Sequence, residues 1–208
     1  MFSERKTILF LGAHPDDIVL GAGATVAKLV KGHEVFCYTL SENIEQERQK
    51  DLPREDARAM RVLGVPKDNF KILDFRTRHF PTDRQKICDA LWRIKKELNP
   101  SIIFTHSKND IHQDHLVVAA ETERVFRDKT VLCMEVARSQ LGFFPQLFVK
   151  LESKDLDKKI KALKEYKTYK HLNYTNPAMV KAVAMARGAQ FEKGHVEAFE
   201  ILRYIIGQ

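Results

Sequence analysis

The sequence predicts an α/β domain with a mostly parallel central sheet covered by helices on both faces. Short apolar runs alternate with helical patterns along the chain, and strands separated by helices of this length pair in parallel. The 208 residues, 44% of them hydrophobic, suffice for one substantial core. No repeat, low-complexity tract or linker interrupts the alternation, so residues 1–208 read as a single domain.

Thr7–Leu11 is an unbroken apolar run and reads as a buried strand. Val19, Ala22, Val26, Leu29 and Val30 recur at helical spacing until Gly32 ends the helix. Val35–Leu40 reads as the next strand. Arg54–Leu63 is helical, with Pro53 at its first turn and Gly64 as terminator. Phe70–Leu73 is a short strand. Ile87, Leu91, Ile94 and Leu98 mark a helix that Asn99-Pro100 ends. Ile102–Thr105 is a strand, Leu116–Val125 a helix, Val131–Val136 a strand and Phe148–Leu151 one more. Leu156, Ile160, Leu163 and Tyr166 mark a later helix, and Met179–Ala189 another. Glu42–Lys50 is polar and reads as a loop.

No apolar stretch approaches the ~20 residues a membrane span needs. The N-terminal run is too broken by Gly12, His14 and two aspartates to be a signal peptide, which predicts a cytoplasmic protein. Cys37, Cys88 and Cys133 are far apart in apolar segments, so they read as buried thiols, neither disulfides nor a thiolate metal site. The net charge is +7. Much of it falls in Lys154–Lys170, a solvated helix face or an attractor of an anionic substrate. That segment has no nucleic-acid motif and no aromatic stacking platform.

Two clusters carry the chemistry. Ala13-His14-Pro15-Asp16-Asp17 follows the first strand, and His112-Gln113-Asp114-His115 follows the strand at 102–105. In parallel sheets ligands bind beyond the carboxyl ends of the strands, so the fold brings both clusters to one rim. A catalytic zinc site needs three protein ligands and an open position. His14 and Asp17 can ligate from one turn stiffened by Pro15, and His115 is the natural third ligand. Histidine and carboxylate suit zinc and also accept iron, cobalt or manganese. Asp16 cannot easily share a metal with its neighbour and reads as a general base. His112 faces the substrate, as acid or oxyanion stabiliser. Asp114 accepts an imidazole N–H, from which histidine the spacing leaves open. His33, His79, His106, His171 and His195 read as structural or exposed; His106 ends the strand before the second cluster. Gly12, Gly21 and Gly23 do not form a dinucleotide fingerprint and read as packing glycines at the helix start.

At these residues the chain resembles the PIG-L/LmbE-like family of zinc-dependent N-deacetylases acting on N-acetylglucosamine-type sugars. The matches are AHPDD followed by IVLGAGATVAKLVKGHEV, then NDIHQDHLVVAAET, and more weakly PREDARAMRVLGV and the closing ARGAQFEKGHVEAFEILR. The resemblance implies a Rossmann-like three-layer fold, metal ligands His14, Asp17 and His115, base Asp16 and electrophile or acid His112. It implies that Arg54 contacts substrate and that the chain forms a homo-oligomer. Ile18 stands where the family's first motif commonly has glutamate. Arg187 and Glu197 in the closing segment read equally well as pocket-shaping residues or as a surface ion pair or cap.

The expectation is therefore a Zn²⁺-dependent N-deacetylase that releases acetate from an N-acetylated amino sugar or its conjugate, the conjugate possibly anionic. The alternatives are an amide hydrolase for another acylated amine and a noncatalytic metal- or sugar-binding protein.

Overall fold

The structure, a computed structural model, describes residues 4–190 and 194–206. Residues 1–3 of the N-terminal segment and 191–193 of the closing motif lie outside them. Seven strands, β1 (Thr7–Gly12), β2 (Glu34–Thr39), β3 (Phe70–Ile72), β4 (Ile102–Thr105), β5 (Thr130–Met134), β6 (Leu147–Leu151) and β7 (His195–Arg203), form one sheet in the order β3-β2-β1-β4-β5-β7-β6. The pairings among β3, β2, β1, β4 and β5 are parallel, while β7 runs antiparallel to both β5 and β6. The helices are α1 (Asp17–Leu29), α2 (Leu52–Leu63), α3 (Arg84–Leu98), α4 (Gln113–Val125), α5 (Ser153–Leu163) and α6 (Pro177–Ala189).

The side-chain alternation of β1 explains the three layers. Ile8 and Phe10 point into a core shared with α1, α2 and α5, while Leu9 and Leu11 point into a second core with Ile87 and Leu91 of α3 and Val118 and Val125 of α4. A strand covered on both faces must be apolar at every position, which is why Thr7–Leu11 is an unbroken run. Phe10 of β1 stacks on Phe104 of β4 at 4.4 Å, and Phe104 meets Phe199 of β7 at 4.9 Å. All three cysteines are buried and free. Among the described residues no helix is long and apolar enough to cross a membrane.

β7 is the element that local patterning misses. Its nine residues, HVEAFEILR, bury Glu197 and Glu200 inside the sheet and so break the expected apolar pattern. Both carboxylates are satisfied. Glu200 accepts from Ser107 Oγ and from the Phe144 N–H at 2.9 Å, tying down the loop after β4. Glu197 forms a buried ion pair with Lys159 of α5 at 2.7 Å. It also accepts the Ala24 and Thr25 N–H groups in mid-α1, at 3.1 and 2.6 Å. The Lys159 ammonium donates to the Leu20 carbonyl at 2.6 Å. Glycines open this approach. A Cβ on Gly23 would stand 3.1 Å from Lys159 Cγ, and one on Gly21 would collide with Met134 Cβ at 2.7 Å. Glu197 is thus neither a pocket wall nor a surface pair; it pins α1, whose first residue is Asp17, to β7 and α5.

Lys159→Met leaves the Glu197 carboxylate buried without its counter-charge, and we expect a loss of about 3–5 kcal/mol in denaturant unfolding. The double variant Lys159→Met/Glu197→Gln should recover part of it. An undiminished midpoint in the single variant would show that the pair does not anchor α1.

Candidate active site

The two clusters meet just beyond β1 and β4, the neighbouring strands on either side of which the chain order runs in opposite directions. That reversal opens a crevice at the carboxyl edge of such a sheet. After β1 the chain turns tightly. The Asp17 N–H reaches the His14 carbonyl at 3.3 Å, and Asp17 Oδ2 accepts the His14 N–H at 2.8 Å. Asp16, the cap of α1, has φ 86°, a left-handed conformation uncommon outside glycine. Strain at such a position is held only where the surroundings enforce it. Ile18 is buried directly behind this turn.

The second cluster is tied to the start of α4. His112 is its N-cap, and its Nδ1 accepts the Asp114 N–H at 3.2 Å. Asp114 is buried and serves His14: its Oδ2 lies 2.9 Å from His14 Nε2. It also accepts the Arg78 N–H at 2.6 Å and the Phe80 N–H at 3.3 Å. His115 Nδ1 bonds Asp110 Oδ2 at 2.8 Å, and Ser139 Oγ donates to the same oxygen at 2.9 Å. Each histidine is therefore oriented by its own carboxylate, leaving His14 Nδ1 and His115 Nε2 to face inward.

Those two nitrogens and Asp17 Oδ2 form a nearly equilateral triangle. His14 Nδ1 to His115 Nε2 is 3.3 Å, His14 Nδ1 to Asp17 Oδ2 is 3.4 Å, and His115 Nε2 to Asp17 Oδ2 is 3.3 Å. Three ligands at about 2.0–2.1 Å from a tetrahedral zinc ion stand about 3.3–3.4 Å apart. The donor set and its spacing thus fit a divalent cation, and His112 and His106 also present nitrogens within 4.8 Å of members of this triangle. The protonation behaviour agrees. Burial opposes charge on His115, yet the Asp17 and Asp110 carboxylates push it up to about 10. His14 is likewise raised against its burial by Asp114 and Asp17. Asp17 is held well below the usual carboxylate range, despite burial, by His115 and His106. The pocket attracts a positive charge, proton or metal.

Asp16 and His112 flank this triangle with opposite characters. Burial first, then the neighbouring Asp17 charge, raises Asp16 well above an ordinary carboxyl. Its Oδ2 is buried without a hydrogen-bond partner. Burial and the His14 and His115 charges push His112 down to about 4, so its ring is neutral near pH 7. With Nδ1 accepting from Asp114, the hydrogen-bond network puts the ring proton on Nε2.

These groups form the floor of a cavity of about 230 Å³. That is smaller than the roughly 300–1,000 Å³ of pockets for drug-sized ligands, and suits one compact polar unit. The Glu42–Lys50 loop supplies Asn43, Glu45, Gln46, Arg48 and Gln49 to its wall. Arg54 does not reach it. The α2 side chain is 82% exposed and lies 3.8 Å from Asp51, because the first turn of α2 points this position at solvent. Arg187 pairs with Glu135 away from the cavity, and none of the lysines of 154–170 lines it.

Several contributors have little or no signature in the sequence. Asp110 could have been found two residues before His112. His106 is fully buried, accepts the Ala13 N–H at 2.9 Å and stacks on His115 at 3.8 Å, so it is a structural residue of the site itself. Arg138 comes from a turn after β5 and Tyr174 from a single 3-10 turn, Asn173–Thr175, neither of them marked by periodicity.

Two outcomes follow from this geometry. Asp110→Asn weakens the grip on His115, and we expect divalent-metal affinity to fall about 10-fold or more in a chelator competition titration. The second concerns Asp56, buried beneath the site against Thr39 and Tyr166. Burial raises it from 3.8 to about 7. Across that window the unfolded chain releases a proton that the folded one retains, so this group makes stability fall as pH rises and adds no slope above it. In metal-free protein, the stability of wild type relative to Asp56→Asn should decline through this range and level off beyond; a pH-independent difference would contradict the shift.

The chain is similar to known proteins in sequence and in fold. Residues 9–126 match the family model described as PIG-L, GlcNAc-PI de-N-acetylase. The chain is 31% identical over 174 residues to the uncharacterized deacetylase YaiS of Escherichia coli K12, covering 80% of this chain and 93% of that protein. Among solved structures, N,N'-diacetylchitobiose deacetylase from Pyrococcus horikoshii superposes with a TM-score of 0.80 at 19% identity, covering 97% of this chain and 85% of that one. GalB, the 4-carboxy-2-hydroxymuconate hydratase of Pseudomonas putida KT2440, superposes with a TM-score of 0.76 at 17% identity, covering 98% of each. The fold thus hosts more than one chemistry, and the family rests on the sequence match: this chain belongs to the PIG-L family of de-N-acetylases.

Proposed function

We propose that the protein is a zinc-dependent N-deacetylase that hydrolyses the acetamide of an N-acetylated amino sugar or its conjugate. The observation that carries this reading is the triangle of His14 Nδ1, Asp17 Oδ2 and His115 Nε2, flanked by the unpartnered carboxylate oxygen of Asp16 and the neutral imidazole of His112. The family and its deacetylase relative support the same chemistry. The fold alone does not, since a hydratase shares it.

His14, Asp17 and His115 would hold a divalent cation, which when bound would supply Lewis acidity for the hydrolysis of an amide. Asp16 accepts the proton of the attacking water at Oδ2, where poor solvation keeps its proton affinity high. His112 Nε2–H donates to the oxygen that gains charge as the carbonyl becomes tetrahedral. The amide nitrogen takes up the proton that Asp16 accepted as the C–N bond breaks, and the acid so formed gives its own proton to solvent, leaving acetate and a free amine. Asp114 and Asp110 keep the two imidazoles in one tautomer throughout. A site that only bound metal would have no need of Asp16.

Acetate release from N-acetylglucosamine derivatives should vanish on chelation and return with zinc. Turnover unchanged in metal-free protein would end this reading. Asp16→Asn should keep its metal by elemental analysis yet lose about 10²-fold or more of kcat, the usual contribution of a positioned base. Full turnover there would remove Asp16 from the base role, and activity confined to acylated amines lacking a sugar would redirect the substrate class.

A further inference from the structure

We propose that Asp56 is a positioning residue: clamped between Thr39 and Tyr166, its carboxylate takes the Asp16 N–H and holds Asp16 in the left-handed conformation that turns its side chain into the cavity. This inference rests on the deacetylase reading and deepens it, because Asp56 acts on the reaction only through Asp16.

Every buried N–H of the turn after β1 needs an acceptor. The Ala13 N–H donates to His106 Nε2 at 2.9 Å, and the His14 N–H to Asp17 Oδ2 at 2.8 Å. Pro15 has no N–H, and the Asp17 N–H reaches the His14 carbonyl at 3.3 Å. The Asp16 N–H is directed out of the turn, at the Asp56 carboxylate and the Tyr166 hydroxyl, and favours the charged form of each. On its other side, the Asp16 carbonyl accepts the Leu20 N–H at 2.8 Å and so begins α1. A φ of 86° is strained for an aspartate and persists only where such contacts enforce it.

Asp56 is itself fixed from three elements. It is fully buried on α2. Thr39, the last residue of β2 and the partner of Gly12 in the sheet, donates through Oγ1 to its Oδ2 at 3.0 Å. The hydroxyl of Tyr166, a buried residue just past α5, donates to its Oδ1. Neither Asp56 nor Tyr166 lines the cavity, so neither touches a substrate there. A third carboxyl beside Asp16 and Asp17 is costly, since burial and the Asp17 charge both oppose its ionisation. An apolar residue at position 56 would avoid that cost. A local rule broken directly beneath an active site points to a part in the site. Arg54 of the same segment faces solvent, so α2 reaches the catalytic turn through Asp56.

The test uses Asp56→Leu, which keeps the size of the side chain and removes its acceptors. In a crystal structure of the metal-free variant, Asp16 should leave the conformation at φ 86°. Asp16 unmoved would overturn the proposal, whatever the protein hydrolyses. In zinc-loaded protein, kcat on N-acetylglucosamine derivatives should fall about 10-fold or more with KM and zinc content held, as befits a misplaced base. Asp56→Asn keeps an acceptor oxygen and should recover most of that loss. In an Asp16→Asn background, Asp56→Leu should lower the residual kcat by less than about 3-fold, because two residues acting as a unit are not additive. Losses that multiply would show an effect independent of Asp16 and overturn the proposal. Should Asp56→Leu fail to fold with the Tyr166 hydroxyl left unpaired, Asp56→Leu/Tyr166→Phe removes both partners and takes its place, with the same expected outcomes. If wild type turns over no N-acetylated sugar, the deacetylase reading fails, and the conformation of Asp16 alone decides the role of Asp56.

Discussion

Three electron-pair donors, brought together from segments separated by 101 residues, face one another at 3.3–3.4 Å in a buried floor. Lone pairs at that spacing repel unless a cation sits between them. The rest of the site follows from holding them there. Asp114 and Asp110 fix the two rings from behind, so the inward nitrogens converge on one position that a proton or a metal can occupy. The high proton affinity of His115 measures the same negative field that a metal would satisfy.

The fold supplies the convergence without using either cluster as glue. β1 and β4 lie side by side, so the residues leaving their carboxyl ends must meet. Behind them the Lys159–Glu197 pair locks α1 against α5 and β7, and Glu200 steadies the loop that leads to Asp110. Buried charge of this kind costs desolvation free energy, and complete hydrogen bonding around Glu197 offsets it. Left-handed φ values at Asp16, Asn43 and Arg78 fall at the cavity, whereas buried carboxylates also lie elsewhere, at Glu121, Asp155 and Glu197.

A shared architecture does not fix the reaction here, because a hydratase and a sugar deacetylase superpose on this chain about equally well. What separates such proteins is the chemistry presented at the carboxyl edge. In this chain His14, Asp16, Asp17 and His115 line the buried floor of the cavity, and Arg48, Arg78 and Arg138 line its exposed mouth. One carboxylate, Asp114, joins the two parts, bonding both the His14 ring and the Arg78 backbone.

The sequence by itself determined the alternation of strands and helices, the parallel core and the two His/Asp clusters, because both signals are local: apolar periodicity, and reactive residues at strand ends. It did not determine β7, since Glu197 and Glu200 break the apolar pattern and are satisfied only by partners far along the chain. Nor did it determine which carboxylate serves which imidazole, for Asp114 turns away from its neighbour His115 to reach His14, 100 residues distant. Helix geometry sent Arg54 to solvent, and two short turns brought Arg138 and Tyr174 to the cavity. Direction in space, unlike residue type and spacing, is decided by packing between remote segments, and only the tertiary structure holds it.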